Sequence, residues 1–434
     1  MSLSYQGKIR RFVELIMLDG RLYFFSSFFN EKKNKNYLMM ERLDPMSLQP
    51  KGEPIKLMEI EAEKRKNRGS FDITVSRDSS KVMAFANKPY QKNDSETVAV
   101  AVFDSKMQEL WTRDITIPYS DKLFGVRSRK VSNNGEVYFA GRLSESKAEI
   151  KAKKKRDGNV DRSNYRYKLL AYRKNGTEEK EYDLDLGEDF ISGYQYRIGP
   201  NGDILCGGFY SERKKGLKGM FTFTIDNETG DLKNKRLTPF AESFLRKMIG
   251  ERRTDKGKGL SNYYLDRLIV RGDGGMVLVG EEFYTITHTR TNSQGQTSTY
   301  TTFHYLDILV VNIGPEGEVE WYKNIPKRQE GRTRDFSSYR MMIEGGKLHF
   351  LFNDHEDNIA SNRQGNLRNF TGSKRGRLGM VTLDAEGKMS STALVKSKDV
   401  GVYMMPGLSI QYSNKNMLVY AEKRKKYRFG RLTF

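Results

Sequence analysis

The chain has 434 residues, 37% hydrophobic and 12% aromatic, and its 76 Lys and Arg against 55 Asp and Glu leave a formal net charge of +21. A single cysteine, Cys206, excludes an internal disulfide framework, and no apolar run is long enough to span a membrane as a helix. The charge favours an anionic partner without choosing among nucleic acid, an anionic surface, an acidic glycan and an acidic protein.

From the first strand onward one pattern recurs: a short β-type run, a polar turn, then a second apolar run. Its turns are Asp19-Gly20, Asp78-Ser79, Asn134-Gly135, Asn201-Gly202, Asp273-Gly274, Gly345-Gly346 and Asn414-Lys415, spaced by 56 to 72 residues. Asn-Gly and Asp-Gly accept positive φ and match the twist of antiparallel strands. After each pair come two further runs, as in TVAVAVFDSKMQELWTRDI, so each unit reads as a four-stranded meander. Tandem meanders without intervening helices predict an all-β chain, a seven-bladed β-propeller forming one domain over 1–434, with six or eight blades as alternatives. The last unit shows three clear strands. The segment Ser4 to Arg11 is therefore expected to add its outer strand and clasp the ring.

Between units four and five, Phe240, Phe244 and Met248 recur at a spacing of four and predict a short connector helix over 239–250. Three polar insertions, 144–163, 285–302 and 354–377, each join the second and third strands of a unit. A meander brings such inserts to one side, and binding residues concentrate on loops held by a rigid scaffold. The candidate partner-binding residues are Lys151, Lys153, Lys154, Lys155 and Arg156 in the first insert, and His355, Lys374 and Arg375 in the third. His355 lies with Asp354 and Asp357 at a spacing unlike that of zinc sites, so a solvated acidic loop is expected there and no metal. No nucleophile elbow and no phosphate-cradling glycine loop occurs, so no catalytic residue or cofactor is assigned.

The only two tryptophans, Trp111 in VFDSKMQELWTRDI and Trp321 in NIGPEGEVEWYKNI, follow the polar turn between third and fourth strands. Each is expected to dock one blade on the next, and Arg113 and Lys323 hold matching positions as inter-blade ties. The phrase AVFDSKMQELW resembles the tryptophan-docking blades of quinoprotein-like propellers, with Gln108 where those blades carry Gly. That class implies either a quinone-dependent dehydrogenase or a binding scaffold. The unit style, with NIPKRQ and the closing YAEKRKKYRFGRLTF, also resembles propeller-like proteins of Bacteroidota, which implies a cell-envelope or periplasmic setting if a leader precedes the chain, and otherwise a cytoplasmic one.

The resulting expectation is a monomeric, non-enzymatic binding or scaffold propeller that engages a protein or glycan partner with an acidic surface through its inserts. The alternatives are a sugar- or quinone-active enzyme at the channel mouth, and a binder of anionic polymer or nucleic acid through basic loops.

Overall fold

A computed structural model of the chain describes residues 4–5, 8–89, 95–120, 122–151, 165–187, 189–199, 201–212, 216–360, 363, 365–372 and 375–434. Seven antiparallel sheets follow one another along the chain, each with its strands ordered as in the sequence or nearly so. The first comprises Arg11–Leu18, Arg21–Asn30, Lys35–Leu43 and Ile55–Glu61. The others occupy 70–120, 124–184, 190–239, 263–325, 340–396 and 403–433. Six of the seven marker turns carry a left-handed residue, from Asp19 and Gly20 to Gly345 and Gly346, as the Asn-Gly and Asp-Gly chemistry requires.

Packing groups the chain into two compact units, Met1–Glu188 with Pro200–Gly202, and Asp189–Gly199 with Asp203–Phe434. The first holds sheets one to three. In its middle sheet the two inner strands are buried on both faces, and the period of two sends alternate residues to opposite neighbours. Val82, Ala84, Ala86, Ala99 and Ala101 meet Tyr23, Phe25, Leu38 and Met40 of the first sheet. Met83, Phe85, Val98, Val100 and Val102 meet Val137, Phe139, Leu170 and Tyr172 of the third. The alanines leave space for the large side chains opposite them.

Sheets four to seven form the second unit on the same plan. Met276, Leu278, Leu309 and Val311 of the fifth sheet pack with Phe209 and Met220 of the fourth. The alternate residues Val277, Val279, Ile308 and Val310 pack with Phe350, Phe352 and Val381 of the sixth. Sheet six in turn meets sheet seven through Met342, Leu351, Met404 and Met417. Four-stranded meanders that bury both faces against their sequence neighbours are blades of the β-propeller type.

The tryptophans reach from one sheet to the next. Trp111 Nε1 donates to Gly135 O at 3.0 Å, and Trp321 Nε1 donates to Ala385 O at 2.8 Å. Each indole lies against a left-handed glycine in the third turn of the following sheet. A Cβ on Gly176 would stand 3.1 Å from Trp111 Cζ3 and 2.9 Å from Arg113 Cδ, and one on Gly387 would stand 2.8 Å from Trp321 Cδ2 and 3.0 Å from Lys323 Cε. In the fourth sheet Arg236 takes this place, with its stem against Gly317 of the fifth.

Three features depart from the sequence-based expectation. First, sheet seven is three strands wide, and no described segment adds a fourth: Lys426–Thr433 fills one side of Asn416–Lys423 and a broken strand fills the other. Tyr403–Met404 and Ile410–Gln411 both pair with Asn416–Lys423, separated by a single turn at Pro406–Leu408, because Pro406 has no N–H to give a continuous ladder. Ser4–Tyr5 instead pairs with Lys8–Ile9 in a hairpin of its own. Second, the insert 285–302 is not a loop. Met276–Thr291 and Thr297–Ile313 run on past the sheet as one hairpin with five turn residues. Third, the insert 354–377 is seated on the sheets. Phe370 exchanges backbone hydrogen bonds with Arg328 and Glu330, and Asn358 bonds Arg368 through both its oxygen and its nitrogen.

Between the fourth and fifth sheets the connector forms the helix Glu242–Ile249. Its Phe244 is buried against the Tyr322 ring, 4.5 Å between centroids.

Candidate functional site

In a meander, the turn from second to third strand and the connector to the next sheet lie at the same end. In the second unit that end gathers four of the eight buried Asp, Glu, Lys and Arg residues among those described: Glu281, Lys327, Asp354 and Arg363. Glu281 and Glu282 are consecutive on the second strand of sheet five and so point to opposite faces.

Glu281 faces Lys327 of the connector after sheet five. The carboxylate lies 2.8 Å from Lys327 Nζ and accepts from Ser338 Oγ at 2.6 Å, and Lys327 also donates to Gln329 Oε1 at 3.0 Å. The Lys327 side chain is fully buried, with the Tyr305 and Phe352 rings about it. Burial pushes the Glu281 carboxyl up and the Lys327 ammonium down, and their mutual attraction works against both shifts.

On the opposite face, Glu282 sits at a β-bulge. Two residues of the third strand, Leu306 and Asp307, oppose it, which brings Asp307 beside it. Burial, then the Asp307 charge, push Glu282 up to about 7. Asp307 is also raised by burial, against hydrogen bonds from Asn324 Nδ2 at 2.6 Å and the Lys327 N–H at 3.1 Å. Tyr263, which feels both charges, also lines an open depression of about 370 Å³ with Ser192, Ser211, Glu212, Ser261 and Asn262.

From this base rises the hairpin arm, nine residue pairs from Phe283–Tyr305 to Thr291–Thr297. One face carries stacked rings: Tyr284 on His304 at 4.6 Å and His288 on Tyr300 at 4.8 Å. Thr302 Oγ1 lies between His288 Nε2 at 2.9 Å and His304 Nε2 at 3.0 Å. The other face is a rank of threonines, with Thr287 opposite Thr301, Thr289 opposite Thr299 and Thr291 opposite Thr297. The strand Gln329–Gly331 pairs with the arm's base, and the two arginines that follow clamp it from both sides. Arg332 lies over Tyr300 at 4.2 Å, and Arg334 lies over Phe303 at 4.6 Å. The arm is thus held at its root while its outer half is exposed.

Of the candidate residues named from sequence, Lys151 is exposed, and Lys153, Lys154, Lys155, Arg156 and Lys374 lie outside the described residues. Arg375 is exposed and lies 3.7 Å from both Glu356 and Asp357. His355 is only 9% exposed, and Asp354 is fully buried in an ion pair with Arg363. Asp354 and His355 are therefore interior rather than part of a solvated acidic loop, while Asp357 is exposed. Among the described residues no group of three or more His, Cys, Asp or Glu is placed to hold a metal ion. Glu281, Glu282, Asp307 and Lys327 were not singled out from sequence. Their one signal is a charge inside an apolar run, as in VLVGEEFY and YLDILVV.

No protein-family pattern and no curated protein matches this chain. Among solved structures, the chain is similar to the β-propeller domain of the Trilobed protease from Pyrococcus furiosus, at 10% identity and a TM-score of 0.41, over 98% of this chain and 93% of that one. It is also similar to Pyrococcus horikoshii acylaminoacyl peptidase, at 9% identity and a TM-score of 0.42, covering 97% of this chain and 50% of the peptidase. A protein of unknown function from Dyadobacter fermentans DSM 18053 matches at 10% identity and a TM-score of 0.36, over 85% of this chain and 96% of its own. The blade assignment rests on the ladders and the two-sided cores, not on these likenesses.

Proposed function

We propose that the protein is a binding propeller, its seven sheets the blades of one ring, and that the hairpin arm at the insert end is its recognition element. The partner is a protein or glycan with an acidic surface. The observation that carries this reading is the arm itself. It extends well beyond the sheet, is clamped by Arg334 at its root and by Arg332 further out at Tyr300, and exposes a surface that no core requires. A rigid projection loses little conformational entropy on binding. The net charge of +21 steers acidic partners towards it.

The test is a shortened arm in which residues 287–301 are replaced by Asn-Gly between Ile286 and Thr302. Crosslinking capture from native soluble and envelope fractions is then compared with the full chain. Loss of a specific partner with an unchanged unfolding transition supports the reading. Full retention of the partner refutes it.

One arrangement favours a second reading, a sugar-active enzyme. Glu282, pushed up to about 7, stands beside Asp307 and near the hydroxyl-lined depression at Tyr263. A carboxylic acid held protonated near neutrality is suited to general-acid chemistry. Turnover of an oligosaccharide panel that is abolished in E282Q would establish it.

A further inference from the structure

Resting on the binding reading above, we infer that the outer edge of the arm, Tyr284–Thr291, takes an extended acidic peptide as an added β-strand.

The backbone pattern fixes which groups are offered. In an antiparallel ladder, residues alternate between bonding the partner strand and pointing their N–H and C=O away from it. Phe283 N–H points outward, since it donates to Asn262 O at 2.9 Å. At the other end Asn292 N–H turns inward to Gln296 O at 3.0 Å. Counting from both ends, the outward groups of the edge belong to Thr285, Thr287, Thr289 and Thr291. The short cross-strand approach of Thr287 Oγ1 to Thr301 Oγ1, 3.4 Å, fits this assignment, because side chains are closest in pairs that are not hydrogen-bonded to each other.

Past Phe283 this edge pairs with no other strand among the described residues. Natural edge strands are usually blunted by Lys, Pro, a bulge or a covering element. The edge sequence YTITHTRT has neither Lys nor Pro, and the ladder runs without a register shift from Phe283 to Thr291. Its β-branched threonines favour the extended backbone.

Charge selects the occupant. Residues 283–305 contain no Asp or Glu; the charged side chains on the arm and clamping it are Arg290, Arg332 and Arg334, while Glu330 lies 3.9 Å from His304 on the opposite edge, at the root. A second copy of the arm would set like charges against each other, whereas an acidic strand would not. Main-chain bonds would supply affinity, and the arginines would supply preference for acidic side chains.

The test uses a fluorescein-labelled ten-residue peptide alternating Glu with Val, read by anisotropy against the full chain. The variant T287P/T289P removes two outward N–H groups and leaves the arm's inward bonds intact. The variant T287A/T289A keeps those N–H groups and removes the hydroxyls. The expected result is saturable binding, retained in the alanine variant and weakened at least tenfold in the proline variant. Amide hydrogens of Thr285, Thr287 and Thr289 should gain protection from exchange when the peptide is bound. Absence of saturable binding overturns the proposal, as does equal binding by the proline variant, or arm-dependent self-association that the peptide does not displace. If the shortened arm loses a native partner while the proline variant keeps it, strand addition fails and the binding reading stands. If the shortened arm keeps it, both fail.

Discussion

Replacing Gly387 by Ala tests whether the tryptophan contacts hold neighbouring sheets together. Gly387 has φ +74, and so does Gly346 in the same sheet, but a Cβ on Gly346 meets nothing within 4 Å. The two substitutions therefore share the backbone penalty, about 1–2 kcal/mol for an L-residue in the left-handed region. Only at Gly387 does the new methyl collide, 2.8 Å from Trp321 Cδ2 and 3.0 Å from Lys323 Cε. The indole must move away, which loses its hydrogen bond to Ala385 O, worth about 1 kcal/mol, and part of its packing. G387A should then cost about 1–2 kcal/mol more than G346A, the sum of a hydrogen bond and a partial loss of aromatic burial. Urea unfolding followed by Trp321 fluorescence in a W111F background measures the difference. Equal midpoints and equal slopes for G387A and G346A would refute the docking role.

K327M leaves Glu281 buried without its counter-ion and should destabilise the second unit by about 3–5 kcal/mol, while E281L/K327M should recover most of that loss in the same urea series. The folded-state value of Glu282 is raised from 4.5 to about 7, so the folded state holds a proton that the unfolded chain releases. Stability from this group is present below pH 4.5 and is lost as pH rises towards 7. E282Q should therefore raise the urea midpoint relative to the parent at pH 8 more than at pH 5. G317A should destabilise through Arg236 more than G295A, whose Cβ also meets nothing within 4 Å, as read by thermal unfolding.

The tandem meanders were legible in the sequence because each marker turn carries residues that tolerate positive φ, and because inner strands buried on both faces read as unbroken apolar runs such as TVAVAVF and VLVG. Turn positions alone also placed Trp111 and Trp321 at matching points. Arg236 escaped notice because its equivalence to the tryptophans lies in what it touches, not in residue type. The arm read as a loop for a physical reason. Most of its outer residues face solvent on both sides, so no apolar alternation marks the strands, and the surviving signal is the repeated β-branched Thr. The seating of insert 354–377 depends on the buried Asp354–Arg363 pair, a contact that composition cannot announce. The cluster of Glu281, Glu282, Asp307 and Lys327 spans two strands and a connector, and the bulge at Leu306–Asp307 sets Asp307 beside Glu282.

The most direct measurement on the central claim is a crosslink map of the native complex by mass spectrometry, with a photoreactive group placed in turn at Gln294, Ser298 and Arg332 and, as controls, at Lys106 and Lys415. The account predicts partner crosslinks from the first three positions that weaken with salt. Partner crosslinks confined to Lys106 or Lys415 would contradict it and move recognition away from the arm.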